Sequence, residues 1–369
     1  MIRNTPAQLP SAISFFVTYY MRYPMKEFSS AAGERFRARL IATAKGRHGA
    51  KDMGREEAKE ALEFLFSAEA HGAQVGAFLT AMRFKSAKVE ELMGFLDAME
   101  GAATLIAPKV EGLLNCNGPY DGRKKALNLS VAAAIVTAAA EVPVVLHSNT
   151  GLPPKDGVTN AQVLESLGVA AAREPGLVES DIERKGFGHL HAHRYLHGVE
   201  RLKPVRQMLF YRSFLHACEV MLNPAGAKRT LIGAAHEGFL ERFAMAAGQR
   251  GQERVLVVLG LDGGDELPLA PTPVAEYRNG EIRRYILAPT DFGLSEAKHH
   301  CCESPAETAR RTEAALAGTD DSHLDAILFN GAVRIHLSGK TRSVEAGLEL
   351  AREVVSSGRA MAKLREMRN

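Results

Sequence analysis

From Pro108 onward, short runs rich in β-branched residues alternate with alanine-rich stretches of helical periodicity. The runs VPVVLH, RVLVVLG and AVRIHLS have the length and composition of buried strands, whereas LNLSVAAAIVTAAA is typical of a helix. Parallel strands need long crossover connections, and helices between strands supply them. The alternation therefore predicts an α/β fold with a largely parallel central sheet covered by helices.

The chain before Pro108 has a different pattern. Apolar residues recur at helical spacing between residues 34 and 99, as at Ala58, Ala61, Leu62 and Leu65. No strand pattern interrupts this part, so we predict a helical domain. The predicted boundaries are an N-terminal extension at 1–33, the helical domain at 34–105 and the α/β domain at 106–369.

Composition limits the classes of function. The 369 residues are 46% hydrophobic, which is enough to bury a large core in two domains. The net charge is only +3, so a site for a polyanion has to come from local clustering of cations. Four cysteines, two of them adjacent at Cys301 and Cys302, do not form the pattern of a disulfide framework. This pattern predicts a reducing, cytoplasmic location.

The stretch SAISFFVTYYM near the N-terminus is the most apolar segment of the extension. It is short, contains Thr18, Tyr19 and Tyr20, and lacks a small-x-small cleavage site, so we interpret it as something other than a signal peptide. No run reaches the ~20 apolar residues that a membrane span requires, and we expect no membrane association.

The order of the segments is distinctive. GLLN is followed by LNLSVAAAIVTAAA, PVVLHSNTG and NAQVLESLGV, and later by LNPAGAKRTLIG and ERVLVVLGLDGGDEL. From about residue 51 to residue 364, this order resembles the anthranilate phosphoribosyltransferase family, also called glycosyltransferase family 3. The resemblance implies that a middle segment at about 176–212 completes the helical domain. It also implies a homodimer formed through that domain.

The motifs of this family are only partly present. Members that carry out the reaction have a GTGGDG loop, an NIST segment, a KHGN segment followed by arginine, and a serine-rich stretch. The corresponding segments here read NCNGPYDG at 115–122, NLSV at 128–131, LHSN at 146–149 followed by Thr150, and LPPKDG at 152–157.

The altered positions are those that the family uses for phosphate. Glycine-rich loops let backbone N–H groups approach a diphosphate, but Pro119 has no N–H and Tyr120 adds bulk. Asp156 places a negative charge where hydroxyl groups would meet phosphate. Leu146 and Thr150 stand where the family has cations. These losses point to a branch that does not carry out the anthranilate reaction.

The segment YDGRKKALNLS resembles the nucleic-acid-binding relatives typified by YbiB. Three cations directly follow the altered loop, and such a run can neutralise a polymer backbone as well as a single diphosphate. The same run also fits a solvated turn. The segment from Arg184 to Arg212 contains seven further cations and a single acid, Glu200. Aromatic residues lie among them in the sequence and can stack on bases or pack in the core. The cations that we predict to bind nucleic acid are Arg123, Lys124, Lys125, Arg201, Lys203, Arg206 and Arg212.

Other positions still match the enzymes. By the resemblance, Asp265 and Glu266 correspond to an acidic pair that holds magnesium, and adjacent carboxylates suit such a site. The same two residues also fit a turn that follows a strand. Arg206 corresponds to an arginine that meets the aromatic acid. The positions of a vestigial or alternative substrate site are Asn128, Ser130, His147, Asn149 and Arg206.

Histidines offer a second type of metal site. His189, His191, His193 and His197 form an HxHxH pattern with a further histidine one helical turn on, but there is no matching acid or cysteine close by. His299, His300, Cys301 and Cys302 are contiguous, which strains tetrahedral binding by all four. We therefore do not assign either group as a metal site.

Two functions follow from these patterns. The first is a dimeric, largely sequence-independent nucleic-acid-binding protein that prefers single-stranded DNA or RNA and requires no cofactor. The alternative is a magnesium-dependent phosphoribosyltransferase that uses phosphoribosyl diphosphate and an unusual acceptor.

Overall fold

The computed structural model describes residues 30–46, 48–297, 304–319 and 323–369. The N-terminal apolar stretch and the group from His299 to Cys302 lie outside these residues.

Four helices form the first part of the described chain. They pack through their apolar faces around an aromatic cluster, in which the Phe78 and Phe95 rings lie 6.3 Å apart and Phe36 stacks on Phe64 at 4.7 Å. Such contacts stabilise a helical core beyond the apolar area that they bury. The helices are α1 (Ala31–Thr43), α2 (Arg55–Phe66), α3 (Gly72–Lys85) and α4 (Val89–Gly101).

A seven-stranded sheet forms the centre of the second part. Its strand order is β3-β2-β1-β4-β5-β6-β7. The first five strands in this order are parallel, and the last two form an antiparallel hairpin at one edge. The predicted α/β fold with a largely parallel sheet is confirmed. The strands are β1 (Leu114–Asn117), β2 (Val144–Ser148), β3 (Phe187–His191), β4 (Arg229–Gly233), β5 (Arg254–Val258), β6 (Thr272–Arg278) and β7 (Glu281–Leu287).

Helices cover both faces of the sheet, with one buried apolar cluster on each side. The longer helices of this part are α5 (Ser130–Ala139), α6 (Asn160–Ser166), α7 (Pro175–Lys185), α12 (Leu240–Gln249), α13 (Pro305–Leu316), α14 (Leu324–Leu337), α15 (Val344–Ser356) and α16 (Arg359–Arg368).

The segment after β3 packs back against the first four helices. Its helices are α8 (Ala192–Tyr195), α9 (His197–Glu200), α10 (Lys203–Leu209) and α11 (Phe214–Met221). The Phe214 ring lies 4.1 Å from that of Phe95 and joins the aromatic cluster. Phe187–His191 lies within the segment 176–212 that we expected to complete the helical domain, but it is β3, the edge strand of the sheet.

Two local expectations need correction. The run AVRIHLS is not a strand, because it lies in α14. Nearly every residue of α14 is buried, so its apolar run has no clear period, and periodicity cannot separate a buried strand from a buried helix. The β6–β7 hairpin was not predicted from the sequence. Its signal was present, since Asn279 and Gly280 both take positive φ angles, as a tight hairpin turn requires.

Two further observations concern covalent and membrane chemistry. Cys116 and Cys218 are buried free thiols, and burial raises the pKa of Cys116 to about 12. Among the described residues, no helix has the length and apolar character needed to cross a membrane.

The close approach of α2 and α4 gives a test of the packing. A Cβ atom on Gly94 would lie 2.1 Å from the Arg55 carbonyl oxygen and 2.9 Å from Ala58 Cβ. Gly94→Ala is therefore expected to lower the free energy of unfolding by about 1–3 kcal/mol. Gly101→Ala is the matched control, because a Cβ atom there would meet no atom within 4 Å. Urea unfolding of both variants measures the difference, and equal stability of the two would contradict this helix packing.

Candidate functional site at the carboxyl edge of the sheet

The carboxyl ends of the parallel strands β1 and β5 bring two loops together. The loop after β1 carries Arg123, and the loop after β5 carries Asp265 and Glu266. In open α/β sheets this edge is where ligands bind. Ser130, the first residue of α5, also points into the same place.

Arg123 binds both carboxylates. Its Nη2 donates to Asp265 Oδ1 at 2.9 Å and to Glu266 Oε2 at 2.7 Å, and its Nε lies 2.7 Å from Glu266 Oε1. The Arg123 side chain is 1% exposed, so solvent screens these contacts very little. A planar guanidinium suits two neighbouring carboxylates through its fixed donor geometry.

A second arginine completes the cluster. Arg334 Nη2 donates to Asp265 Oδ2 at 2.7 Å, and both side chains are fully buried. Burial opposes the charged form of Arg334, but Asp265, Cys116 and Glu266 together raise its pKa. Arg334 was not predicted from the sequence as part of a site. The one available signal was a charged residue within an apolar run, since a buried charge needs a partner.

The cluster also includes residues predicted for a vestigial substrate site. Ser130 donates its hydroxyl to Asp265 Oδ2 at 2.9 Å and its N–H to Glu266 Oε1 at 3.1 Å. Asn128 donates to Asn160 Oδ1 at 2.9 Å, and Asn160 Oδ1 also accepts from Arg123. The structure therefore brings Arg123, Asn128, Ser130 and the acidic pair into one hydrogen-bonded unit.

Tyr120 connects the altered loop to the other domain. Its hydroxyl lies 2.6 Å from His147 Nδ1 and 2.5 Å from the Tyr195 hydroxyl. His147 Nε2 is 3.0 Å from the Leu222 carbonyl oxygen, which can only accept, so the ring proton sits on Nε2 and Nδ1 accepts from Tyr120. Burial lowers the pKa of His147 to about 3, which keeps the imidazole neutral. Predicted site residue His147 is thus held by the loop itself.

Two cations, Arg212 and Lys155, lie beside the Asp121 carboxylate of this loop. Arg212 binds Asp121 through two hydrogen bonds of 2.8 and 2.6 Å. Lys155 donates to the Asp262 carbonyl oxygen at 2.9 Å and lies 3.6 Å from the Asp121 carboxylate. Burial lowers the pKa of Lys155 to about 8, although Asp121 opposes the shift. We call Lys155, Arg212 and Asp121 the mouth cluster.

Two of the predicted nucleic-acid-binding cations do not lie on the surface. Arg123 is buried in the acidic pair, and Arg206 is buried against Glu219, with hydrogen bonds of 2.5 and 2.9 Å. These two positions require correction, because a buried arginine already bound to carboxylates cannot reach a polymer phosphate. Glu219, which was not predicted from the sequence, is the buried carboxylate that binds Arg206 and keeps it from the surface.

The other predicted cations differ in their surroundings. Lys124, Lys125 and Arg201 are exposed, whereas Lys203 is partly buried and donates to the Thr150 carbonyl oxygen. The backbone N–H groups of Lys124 and Lys125 both donate to the Asp262 carboxylate, which lowers the pKa of Asp262 despite its partial burial. Asn149, predicted for the substrate site, donates to Glu200 at 2.6 Å.

A cavity of about 400 Å³ opens beside the loop, between the helical part and the carboxyl end of β4. Its walls are mostly apolar, with Phe214, Val220 and Phe243 among them. Arg83 and Arg212 supply positive charge at its lining. Such a concave apolar site with a few polar groups suits a small molecule.

His189, the first histidine of the HxHxH pattern, is held by two hydrogen bonds. His189 Nδ1 donates to the Ala171 carbonyl oxygen at 2.8 Å, and its Nε2 accepts from the Ser148 hydroxyl at 2.8 Å. Burial lowers the pKa of His189 to about 3. Over residues 30–46, 48–297, 304–319 and 323–369, no group of three or more histidine, cysteine or acidic side chains is placed to hold a metal ion.

The acidic pair does not fit magnesium in this arrangement. All four carboxylate oxygens of Asp265 and Glu266 already lie within 3.1 Å of a donor from Arg123, Arg334 or Ser130. Magnesium needs free oxygen ligands at 2.0–2.1 Å in octahedral geometry. The two arginines therefore balance the charge of the acidic pair.

Both parts of the chain match one protein family: the α/β domain of the glycosyl transferase family matches residues 121–361, and its helical bundle domain matches residues 41–103. The chain belongs to this family.

Similar proteins are anthranilate phosphoribosyltransferases. The enzyme of Methanosarcina acetivorans is 34% identical over 324 residues, covering 86% of both chains, and that of Rubrobacter xylanophilus is 36% identical, covering 84% of this chain and 90% of the relative. The Thermus thermophilus enzyme has a TM-score of 0.79 at 29% identity and covers 90% of this chain and 98% of that one. The fold is also that of the Saccharomyces cerevisiae enzyme in complex with PRPP and Mg, with a TM-score of 0.77 at 21% identity, covering 92% and 98% of the two chains.

The acidic pair gives a prediction about stability. Arg123→Met leaves Asp265 and Glu266 with one buried arginine, and the expected loss in the free energy of unfolding is about 3–5 kcal/mol at neutral pH. Burial already raises the pKa of Glu266, and removing Arg123 raises it further. The folded variant then binds a proton more readily than the unfolded chain, so its deficit shrinks as the pH falls toward the ordinary glutamate pKa.

Chemical denaturation at pH 8 and pH 5.5 tests this expectation. Lys125→Met is the matched control, because it removes an exposed cation two residues away. A deficit of Arg123→Met that does not depend on pH would show that its cause is packing and not charge.

Proposed function

We propose that the protein is a phosphoribosyltransferase that binds phosphoribosyl diphosphate at the carboxyl edge of the sheet. The observation that carries the proposal is the family match along both domains, with 34% identity to an anthranilate phosphoribosyltransferase over 86% of this chain. The site supports it, because Asn128, Ser130 and the acidic pair lie together at the edge where α/β proteins bind phosphorylated ligands.

The reaction would break the bond between ribose C1 and the diphosphate oxygen, and the electron pair would leave with the diphosphate. The acceptor nucleophile would then bond to C1 and lose a proton. Positive groups near the leaving diphosphate lower the barrier by stabilising the developing charge. Lys155 of the mouth cluster is proposed for this role, since it lies beside the loop and is partly exposed.

The cavity beside the loop is the proposed acceptor site. Arg206, which the family resemblance assigns to the aromatic acid, is bound to Glu219, so acceptor contacts have to come from other residues. The cavity offers aromatic walls at Phe214 and Phe243 and a cation at Arg83. We therefore propose an apolar, planar acceptor that carries an acidic group.

Nucleic-acid binding has less support in the structure than in the sequence. Of the seven predicted cations, Arg123 and Arg206 are buried, and Arg212 binds the Asp121 carboxylate through its Nε and Nη2. The exposed residues Lys124, Lys125 and Arg201 still permit a polyanion surface. Polymer binding and homodimerisation stay predictions, and the first is an outcome of the test below.

Calorimetric titration of phosphoribosyl diphosphate into the full chain tests donor binding. We expect saturable binding that weakens at least tenfold in Lys155→Met, because this change removes a partly buried cation at the mouth. Lys340→Met is the matched control, since Lys340 is a surface residue paired with Glu141. Release of diphosphate with a panel of aromatic acids, anthranilate included, then identifies the acceptor.

A titration with a labelled single-stranded oligonucleotide runs in parallel. Salt-sensitive binding of the oligonucleotide together with no donor binding under any condition would overturn the proposal in favour of a nucleic-acid-binding protein.

The lowered pKa of Lys155 predicts a pH dependence. With a pKa of about 8, Lys155 is mostly charged at pH 7 and mostly neutral at pH 9. Donor affinity is expected to fall about tenfold over this interval, because the charged fraction falls by that factor. Lys155→Arg should remove the fall, since a guanidinium keeps its charge. Equal pH dependence in both proteins would show that another group titrates.

A further inference from the structure

The buried cluster of Arg123, Arg334, Asp265 and Glu266 is electrically balanced. Two guanidinium groups face two carboxylates, and all four side chains are at most 7% exposed. A divalent cation placed here would leave an excess of positive charge in a region that solvent does not screen. The metal could enter only if a guanidinium left.

Arg123 is anchored so that it does not readily leave. Its backbone N–H donates to the Val158 carbonyl oxygen at 3.0 Å, and the Val158 N–H donates back to the Arg123 carbonyl oxygen at 2.9 Å. This two-bond bridge holds the base of the side chain, and the carboxylates hold its tip. Both ends of Arg123 are thus fixed by groups from other segments.

The backbone around the guanidinium is shaped to receive it. A Cβ atom on Gly118 would lie 2.2 Å from Arg123 Nη2, and a Cβ atom on Gly264 would lie 2.0 Å from Glu266 Oε2 and 3.2 Å from Arg123 Nε. A Cβ atom at Gly118 would displace the guanidinium, and one at Gly264 would displace the Glu266 carboxylate, so glycine at both positions suits this contact. The fit indicates a dedicated position for the side chain.

We propose that Arg123 is a built-in cation that takes the place of a divalent metal ion at Asp265 and Glu266. The acidic pair of the native protein then binds no magnesium or manganese. One consequence rests on the proposed function: the donor, phosphoribosyl diphosphate, binds without a metal ion at the acidic pair. The charge balance of the cluster does not depend on any donor.

The proposal is tested by titrating the full chain with Mn²⁺ alone. Electron paramagnetic resonance measures the concentration of free Mn²⁺ at each step. We expect no specific site in the native protein at millimolar Mn²⁺, and a new site with at least tenfold tighter binding in Arg123→Gln. Lys125→Gln is the matched control, because it removes a cation from the same loop without touching the carboxylates. Adding Asp265→Asn to Arg123→Gln should abolish the new site.

Each outcome decides the proposal. A Mn²⁺ site in the native protein that Glu266→Gln removes would overturn it, as would a folded Arg123→Gln protein that gains no site. If Arg123→Gln does not fold, as circular dichroism would show, the native titration decides the question by itself. No donor is present in these experiments, so their result is separate from any failure of phosphoribosyl diphosphate to bind.

Discussion

Arg123 reaches from the loop after β1 to the two carboxylates that follow β5. This contact joins two loops that are distant in sequence. Its removal would leave Asp265 and Glu266 buried with a single cation, which low-dielectric surroundings make costly. The same contact positions Tyr120 and Asp121, because both lie in the loop that Arg123 fixes. Tyr120 in turn contacts His147 and, through Tyr195, the helical part. Asp121 binds Arg212.

The family scaffold is therefore combined with an altered charge arrangement. The fold is shared with relatives, and guanidinium groups contact all four carboxylate oxygens of Asp265 and Glu266. In the proposed function, positive charge for the diphosphate comes from Lys155, one layer further out. This shift moves the proposed site for the leaving group toward solvent without changing the fold.

Much of the fold could be predicted, and less of the site. The strand-and-helix alternation correctly indicated an α/β fold, since its signal is local and repeated. The run from Ala332 to Ser338 was misread because a fully buried helix lacks the period that distinguishes it. In the site, Asp265 and Arg123 were both identified, but in separate roles. Their contact spans 142 residues, and no local pattern reports it.

The sequence by itself determined the secondary structure class, the family and the loss of N–H donors at Pro119, because each depends on residue type and order alone. The tertiary structure decided which cations are free to bind a ligand. Arg123 and Arg206 look like surface charges in the sequence, yet folding brings each beside buried carboxylates. A charge on an arginine is a property of the residue, but whether that charge is already neutralised depends on which distant segments pack against it.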